Sequence, residues 1–213
     1  MNGTQLSTGP EWTLRPAGTA DADALRVFLT GLSLRTRYLR FFAGVLPVTP
    51  AFLRRMSGVT AGPDLVDALV VTDDGAIIGH GMATDTRDDA SRPVTELAVV
   101  VADEHRGRGA GSALIRALTV RAQARGASTL LLDVLAENRE MLDLVAHYFP
   151  AAGYSRSGPY LAIRVPLPAP FPDPIAALPE EEQPREPSIA RPGDDGRGTR
   201  GGVRGPGAHL SVG

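Results

Sequence analysis

Val94-Thr95-Glu96-Leu97-Ala98-Val99-Val100-Val101 is followed, four residues on, by Arg106-Gly107-Arg108-Gly109-Ala110-Gly111-Ser112. The first run is apolar except for Thr95 and one acid, Glu96, and reads as a buried strand over 94–101. Beyond the second, Leu114, Ile115, Leu118 and Ala122 recur at helical spacing over 110–125, and Gly126 supplies a stop. The glycines between strand and helix let the backbone approach a ligand closely. The first amides of the helix have no partner within it and attract anions. Arg106 and Arg108 add positive charge and forked donors, so the loop suits a pyrophosphate. A tight strand-to-helix turn would use the same glycines. The spacing is Gly-x-Gly-x-Gly, which fails the dinucleotide fingerprint, and no Gly-Lys-Ser/Thr follows for a P-loop.

Working outward, residues 12–15 alternate as a short strand. Thr19 is placed to cap a helix whose first turn holds Asp21 and Asp23 and whose inner face is Ala24, Leu25, Phe28, Leu29 and Leu32. Residues 35–42 are basic and aromatic, and 50–56 form another short helix. Strands at 66–72 and 76–84 flank Asp73-Asp74-Gly75, a strong hairpin signal. After the glycine loop and its helix come a strand at 129–134, a helix at 138–148 and strands at 153–156 and 160–165. A hairpin in the middle and strand–helix alternation later imply an α/β chain, with a mixed sheet carrying helices on its faces.

The 213 residues suit one ordinary domain with an appendage. The domain is expected over 10–166. Over 167–213, Pro, Gly, Arg and Glu replace apolar periodicity, and a disordered tail is expected. Arg197, Arg200 and Arg204 among glycines there could touch RNA, but Glu180, Glu181, Glu182, Asp194 and Asp195 oppose it. A net charge of −2 gives no field toward nucleic acid or membrane surface. Without cysteine there are no disulfides, catalytic thiols or cysteine-bound metals. His80, His105, His147 and His209 show no metal-ligand spacing, so no metal is expected. Lysine is also absent and all 22 basic residues are Arg, through codon bias or avoidance of self-acylation. The polar first ten residues lack a signal-peptide core and no apolar run spans a bilayer, so a cytoplasmic protein is expected.

Arg106, Gly109 and Gly111 match the Arg-x-x-Gly-x-Gly signature of the GNAT N-acetyltransferase superfamily, as do the strand before them and Asn138-Arg139-Glu140-Met141-Leu142 after them. Leu14-Arg15-Pro16, Leu32-Ser33 and Arg37-Tyr38-Leu39-Arg40-Phe41-Phe42 resemble the acetyltransferase domain of bacterial Pat-type protein lysine acetyltransferases. The resemblance spans roughly residues 12–166 and implies a GNAT fold, a mixed and mostly antiparallel central sheet flanked by helices. It implies acetyl-CoA as co-substrate and an amine as acceptor. The backbone of Val99, Val100 and Val101 would hold the pantetheine arm, with Asn138 near it. Arg106, Gly107, Arg108, Gly109, Ala110, Gly111 and Ser112 would hold the pyrophosphate.

The resemblance also proposes Glu96 as the base. On an apolar strand its carboxyl should be partly desolvated, which would raise its pKa. Many relatives place a Tyr on the last helix to protonate the departing thiolate. Spacing from Asn138 puts Val145 there, and neither Tyr148 nor Tyr154 aligns; Pat-like domains often lack this Tyr as well. Residues 148–152 look like an insertion. The expected function is acetyl transfer from acetyl-CoA to an amine, whether a protein lysine, an N-terminus, a polyamine or a drug. The alternative is a non-catalytic acyl-CoA-binding regulatory protein.

Overall fold

The Asp74-Gly75 turn behaves as the sequence predicts. Both residues have positive φ, 46° and 80°, as the tightest hairpin turn requires. They join β2, Val66–Asp73, to β3, Ala76–Arg87. The structure is a computed structural model that describes residues 12–58, 66–88 and 91–168. The expectations for the first ten residues and for the tail, Leu167 and Pro168 apart, lie outside the described residues. Leu167 itself belongs with the domain. Its N–H donates to the Ser128 carbonyl at 2.9 Å, and its side chain packs on the core.

In chain order the other elements are β1, Thr13–Pro16; α1, Ala22–Gly31; α2, Leu34–Phe41; α3, Pro50–Met56; β4, Pro93–Val101; α4, Ala110–Ala124; β5, Thr129–Leu135; α5, Arg139–Tyr148; β6, Gly153–Ser157; and β7, Tyr160–Pro166. They form a seven-stranded sheet in the order β1-β2-β3-β4-β5-β7-β6. Only the β4–β5 pair is parallel, so the expected mixed, mostly antiparallel sheet is present. One core lies beneath α4 and α5 and includes Leu114, Ile115, Leu118, Leu130 and Val145. The other lies beneath α1 and α3 and includes Leu25, Leu29, Leu53 and Met56.

The expected Thr19 cap is replaced. Thr19 opens a short 3₁₀ turn, and the carboxylate of Asp21 accepts the Gly18 N–H at 2.8 Å. Arg15 grips the same carboxylate at 2.7 and 2.9 Å and holds it below the usual carboxylate range. α1 itself has no side-chain cap, since Asp21 at its N-cap turns its carboxylate to Gly18 and Arg15. Ser33 ends the weakened run after Gly31 and caps α2 by accepting the Thr36 N–H at 3.1 Å.

Two devices seat α4. A Cβ on Gly81 would meet Leu118 Cδ1 at 2.8 Å and Leu114 Cδ2 at 3.1 Å, so the bare backbone of β3 admits the helix. At its far end, Arg121 Nε and Nη2 donate to Asp67 at 2.6 and 2.9 Å. Arg125 donates to Asp67 at 2.7 Å and to Asp85 at 2.6 Å, and Thr95 donates to Asp85 at 2.7 Å. The arginines favoured at a helix C-terminus therefore also clamp α4 to β2 and β3, with β4 joining through Thr95.

Candidate functional site

β4 has two unlike edges. Toward β3 it pairs throughout, from Gly79↔Val101 to Arg87↔Pro93. Toward β5 it pairs only at Val94↔Thr129, Thr95↔Leu130 and Glu96↔Leu131. β5 is meanwhile held along its length by β7, from Thr129↔Pro166 to Leu135↔Tyr160. Each strand is thus fixed by its outer neighbour, and the two part after Glu96 and Leu131. The parting opens a cavity of about 1240 Å³, lined by Glu96 to Val101 on one side and Leu131 to Val134 on the other. The free edge of β4 offers N–H and C=O groups without a strand partner, a ready surface for an extended polar chain.

The glycine loop forms one end of this cavity. Gly107 and Gly109 have φ of 72° and 84°, in the region that favours glycine. Gly109 is the N-cap of α4 and offers no side-chain cap. Among the described residues, nothing accepts from the amides of Gly107, Arg108, Gly109, Ala110, Gly111 or Ser112. Open donors at a helix start are the kind of group that attracts an anion. Trp12 Nε1 donates to the Arg108 carbonyl at 3.1 Å and pins the loop to the N-terminal strand. All the expected loop residues line the cavity except Arg108, whose side chain is exposed.

Arg106 is engaged differently from expectation. Its guanidinium donates to Thr36 Oγ1 at 2.7 Å and to Glu140 at 3.1 Å, and it lies 3.2 Å from Asp103. Thr36 is buried and donates to Asp103 at 2.8 Å. Burial pushes the Asp103 carboxyl up, but bonds from Thr36 and Ser33 and the Arg106 charge outweigh it and hold the group below its ordinary range. This network ties α2, the loop and α5 together.

Glu96 lines the cavity, but the expected desolvation is corrected. Its side chain is exposed because the strands part immediately beyond it. Val99 and Val101 turn their side chains toward the α4 core and Val100 toward the α1–α3 core. Their backbone is what remains for the cavity. Asn138 lines it too, with Oδ1 capping α5 by accepting the Met141 N–H at 3.3 Å. Val145 is fully buried in the core, so this position does not reach the cavity. Met141, Leu144 and His147 are the α5 residues that do, with Glu140 and Asp143 at the same wall.

Tyr154 and His147 are cavity-lining protic side chains that alignment by spacing passed over. Tyr154 alternates within β6, a signal that becomes informative only once the hairpin is placed against β5. Phe42, at the end of α2, meets Tyr160 edge-on at 4.8 Å. Among the described residues, no group of His, Asp and Glu could hold a metal ion, and no helix is long and apolar enough to cross a membrane.

Comparison with known proteins agrees with this geometry. The family model described as acetyltransferase (GNAT) family matches residues 34–148. The GNAT domain of S. lividans PAT is 24% identical with a TM-score of 0.61, over 72% of this chain and 89% of that one. The structure of yncA from Salmonella typhimurium, solved with its cofactor acetyl-CoA, is 17% identical with a TM-score of 0.53, over 76% of this chain and 99% of that one. The uncharacterized N-acetyltransferase YobR of Bacillus subtilis is 48% identical over 46 residues, 22% of this chain. That match spans about a fifth (19%) of YobR's own length. The structural likenesses, at these identities, speak to the fold.

Proposed function

This chain belongs to the acetyltransferase (GNAT) family, and from that premise we propose that it transfers the acetyl group of acetyl-CoA to an amine, with Glu96 as the base. The observation that carries this reading is the gap between β4 and β5, which runs from open amides at the α4 N-terminus to Glu96. A pyrophosphate fits the amides of residues 107–112. The pantetheine arm fits the free edge of β4 along Val99, Val100 and Val101, beside Asn138. Arg106 serves by holding the loop against α2 and α5, and Arg108 adds charge at the exposed rim.

Acetyl-CoA supplies an activated thioester carbonyl. The acceptor nitrogen attacks that carbon, the carbon–sulfur bond breaks, and the thiolate leaves with the cofactor. Glu96, through water in the open cavity, takes the proton the nitrogen sheds. Unpaired amides of β4 orient the thioester and stabilise charge developing on its oxygen. The exposure of Glu96 suits this role by giving water and acceptor access to the carboxylate.

The enzyme is read as cytoplasmic, acting without metal, nucleic acid or membrane, as its composition suggests. A protein lysine is one candidate acceptor. The test is thiol release from acetyl-CoA with a panel of amines. Cofactor binding without release above background for any amine would leave a non-catalytic acyl-CoA-binding protein instead. The tail is read as dispensable for the domain. Truncation after Pro168 is expected to keep cooperative unfolding and acetyl-CoA affinity, measured by calorimetry.

A further inference from the structure

Among the described residues, Arg15, Arg92, Arg106, Arg121, Arg125 and Arg164 each lie against a carboxylate. Arg40 does not. It projects from α2 into the cavity, and among the described residues no carboxylate pairs with it. Its Nε is enclosed with no acceptor. Its Cζ lies 4.6 Å from the centre of the Phe41 ring. Burial pushes this guanidinium down to about 10, a measure of how much hydration it has lost.

Glu96, Asp133, Glu140 and Asp143 line the same cavity, but among the described residues none forms an ion pair with Arg40. Met82 and Thr84 of β3 and their cross-strand partners Ala98 and Glu96 of β4 all line the same cavity. Of these four, only Glu96 is charged. His80, close enough to feel the Arg40 charge, is fully buried and neutral. Arg55, exposed at the cavity edge, adds a second cation without a carboxylate partner among the described residues. A half-buried, under-solvated guanidinium in a substrate-sized cavity is stabilised by an anion that arrives with a ligand, and its planar donors match a carboxylate.

We propose that Arg40 is the anion subsite for the acceptor: the amine acetylated here carries a carboxylate, which the Arg40 guanidinium holds while the amine faces Glu96. This rests on the transferase reading above. The cofactor's phosphates have their own donors in the amides of residues 107–112, which leaves Arg40 for the other substrate. A free amino acid and a lysine peptide with a neighbouring aspartate share the required chemistry.

The test is calorimetry on protein saturated with CoA, which has no acetyl group to give. Matched pairs are titrated: amino acids against their decarboxylated amines, and a Lys-Asp peptide against its Lys-Asn counterpart. At least one carboxylated member should bind tenfold or more tightly than its partner, and the pair that shows this identifies the source. Arg40→Met should remove the difference and Arg40→Lys should keep part of it, with CoA affinity equal to wild type in both. Arg40→Lys, which preserves the charge, carries the test if Arg40→Met does not unfold cooperatively.

Equal binding of every pair overturns the proposal, as does an advantage that survives in either variant undiminished. A parallel loss of CoA affinity also overturns it, by assigning Arg40 to the phosphates. Thiol release is read separately. Turnover with no carboxylate preference defeats this inference alone, and carboxylate-dependent binding with no turnover defeats the transferase reading alone.

Discussion

The two edges of β4 are built from one run of residues and put to opposite uses. Against β3 all nine residues from Pro93 to Val101 are paired. Nearby, the charges of β2, β3 and α4 are mutually satisfied: Asp67 and Asp85 take five hydrogen bonds from Arg121 and Arg125. Against β5 the pairing lasts three residues, then backbone groups stand open, and among the described residues Arg40 forms no ion pair. The closed edge carries stability, while the open edge holds backbone groups without a strand partner, where the proposed cofactor arm would lie. Burying open donors costs free energy unless something pairs with them, so the gap survives because β3 and β7 fix its two sides.

The comparison is broken most strongly at the open edge. Glu96→Gln keeps size and shape but cannot take a proton. It is expected to lower kcat by roughly a hundredfold or more while leaving the unfolding midpoint and acetyl-CoA affinity near wild type. The deficit should shrink at higher pH, where more acceptor amine is already deprotonated. A pH–rate profile at saturating acetyl-CoA checks this, and equal rates across the range would remove Glu96 from the mechanism.

Asp67→Ala strikes the closed edge instead. It leaves Arg121 and Arg125 short of an acceptor for three hydrogen bonds. A loss of about 2 kcal/mol of stability is expected, moderated because Arg121 keeps contact with water. Denaturant unfolding measures it. Acetyl-CoA affinity well below the melting range should stay the same, and a selective loss of affinity instead would contradict the division of labour.

His80 sharpens the comparison through pH. Its Nε2–H donates to the Met56 carbonyl at 2.8 Å, and burial pushes the ring from 6.5 down to about 4. The native state therefore keeps His80 neutral, while the unfolded chain binds a proton below pH 6.5. Stability is fully present above that pH and is lost as pH falls toward 4. Between pH 7 and 5 the loss from this residue is about 2 kcal/mol. His80→Gln should flatten that part of the stability–pH curve, and an unchanged slope would show that other groups set it.

The smallest expected effect separates charge from strain in the loop. Gly111, unlike Gly107 and Gly109, has no positive φ, and a Cβ there would sit 3.8 Å from Leu144 and Val101 in ordinary contact. Gly111→Ala should fold normally. Gly111→Glu should fold as well but weaken acetyl-CoA binding at least tenfold, about 1.4 kcal/mol, by setting a carboxylate where a pyrophosphate approaches. Unchanged calorimetric affinity in a folded Gly111→Glu protein would remove the pyrophosphate from this loop.

The local signals were decisive where the physics is local. Asp74-Gly75 specified a turn because few residues tolerate its φ angles. The helical repeat of Leu114, Ile115, Leu118 and Ala122 located α4, and the open amides before it were legible because amides at a helix start lack partners within the helix. The family resemblance brought Glu96, Val99, Val100, Val101 and Asn138 into one list, and all five line one cavity.

What depended on tertiary structure was everything set by partners distant in sequence. The parting of β4 from β5 comes from their other neighbours, β3 and β7, and no feature of residues 94–101 or 129–135 announces it. It left Glu96 exposed where the strand's own composition argued for burial. Arg106 became a brace because Thr36, 70 residues away, lies beside it. Arg40 was left without an ion pair because no carboxylate of the described fold lies within ion-pair distance of it. Sequence shows which groups a residue can offer; only the fold determines which of those offers are already taken.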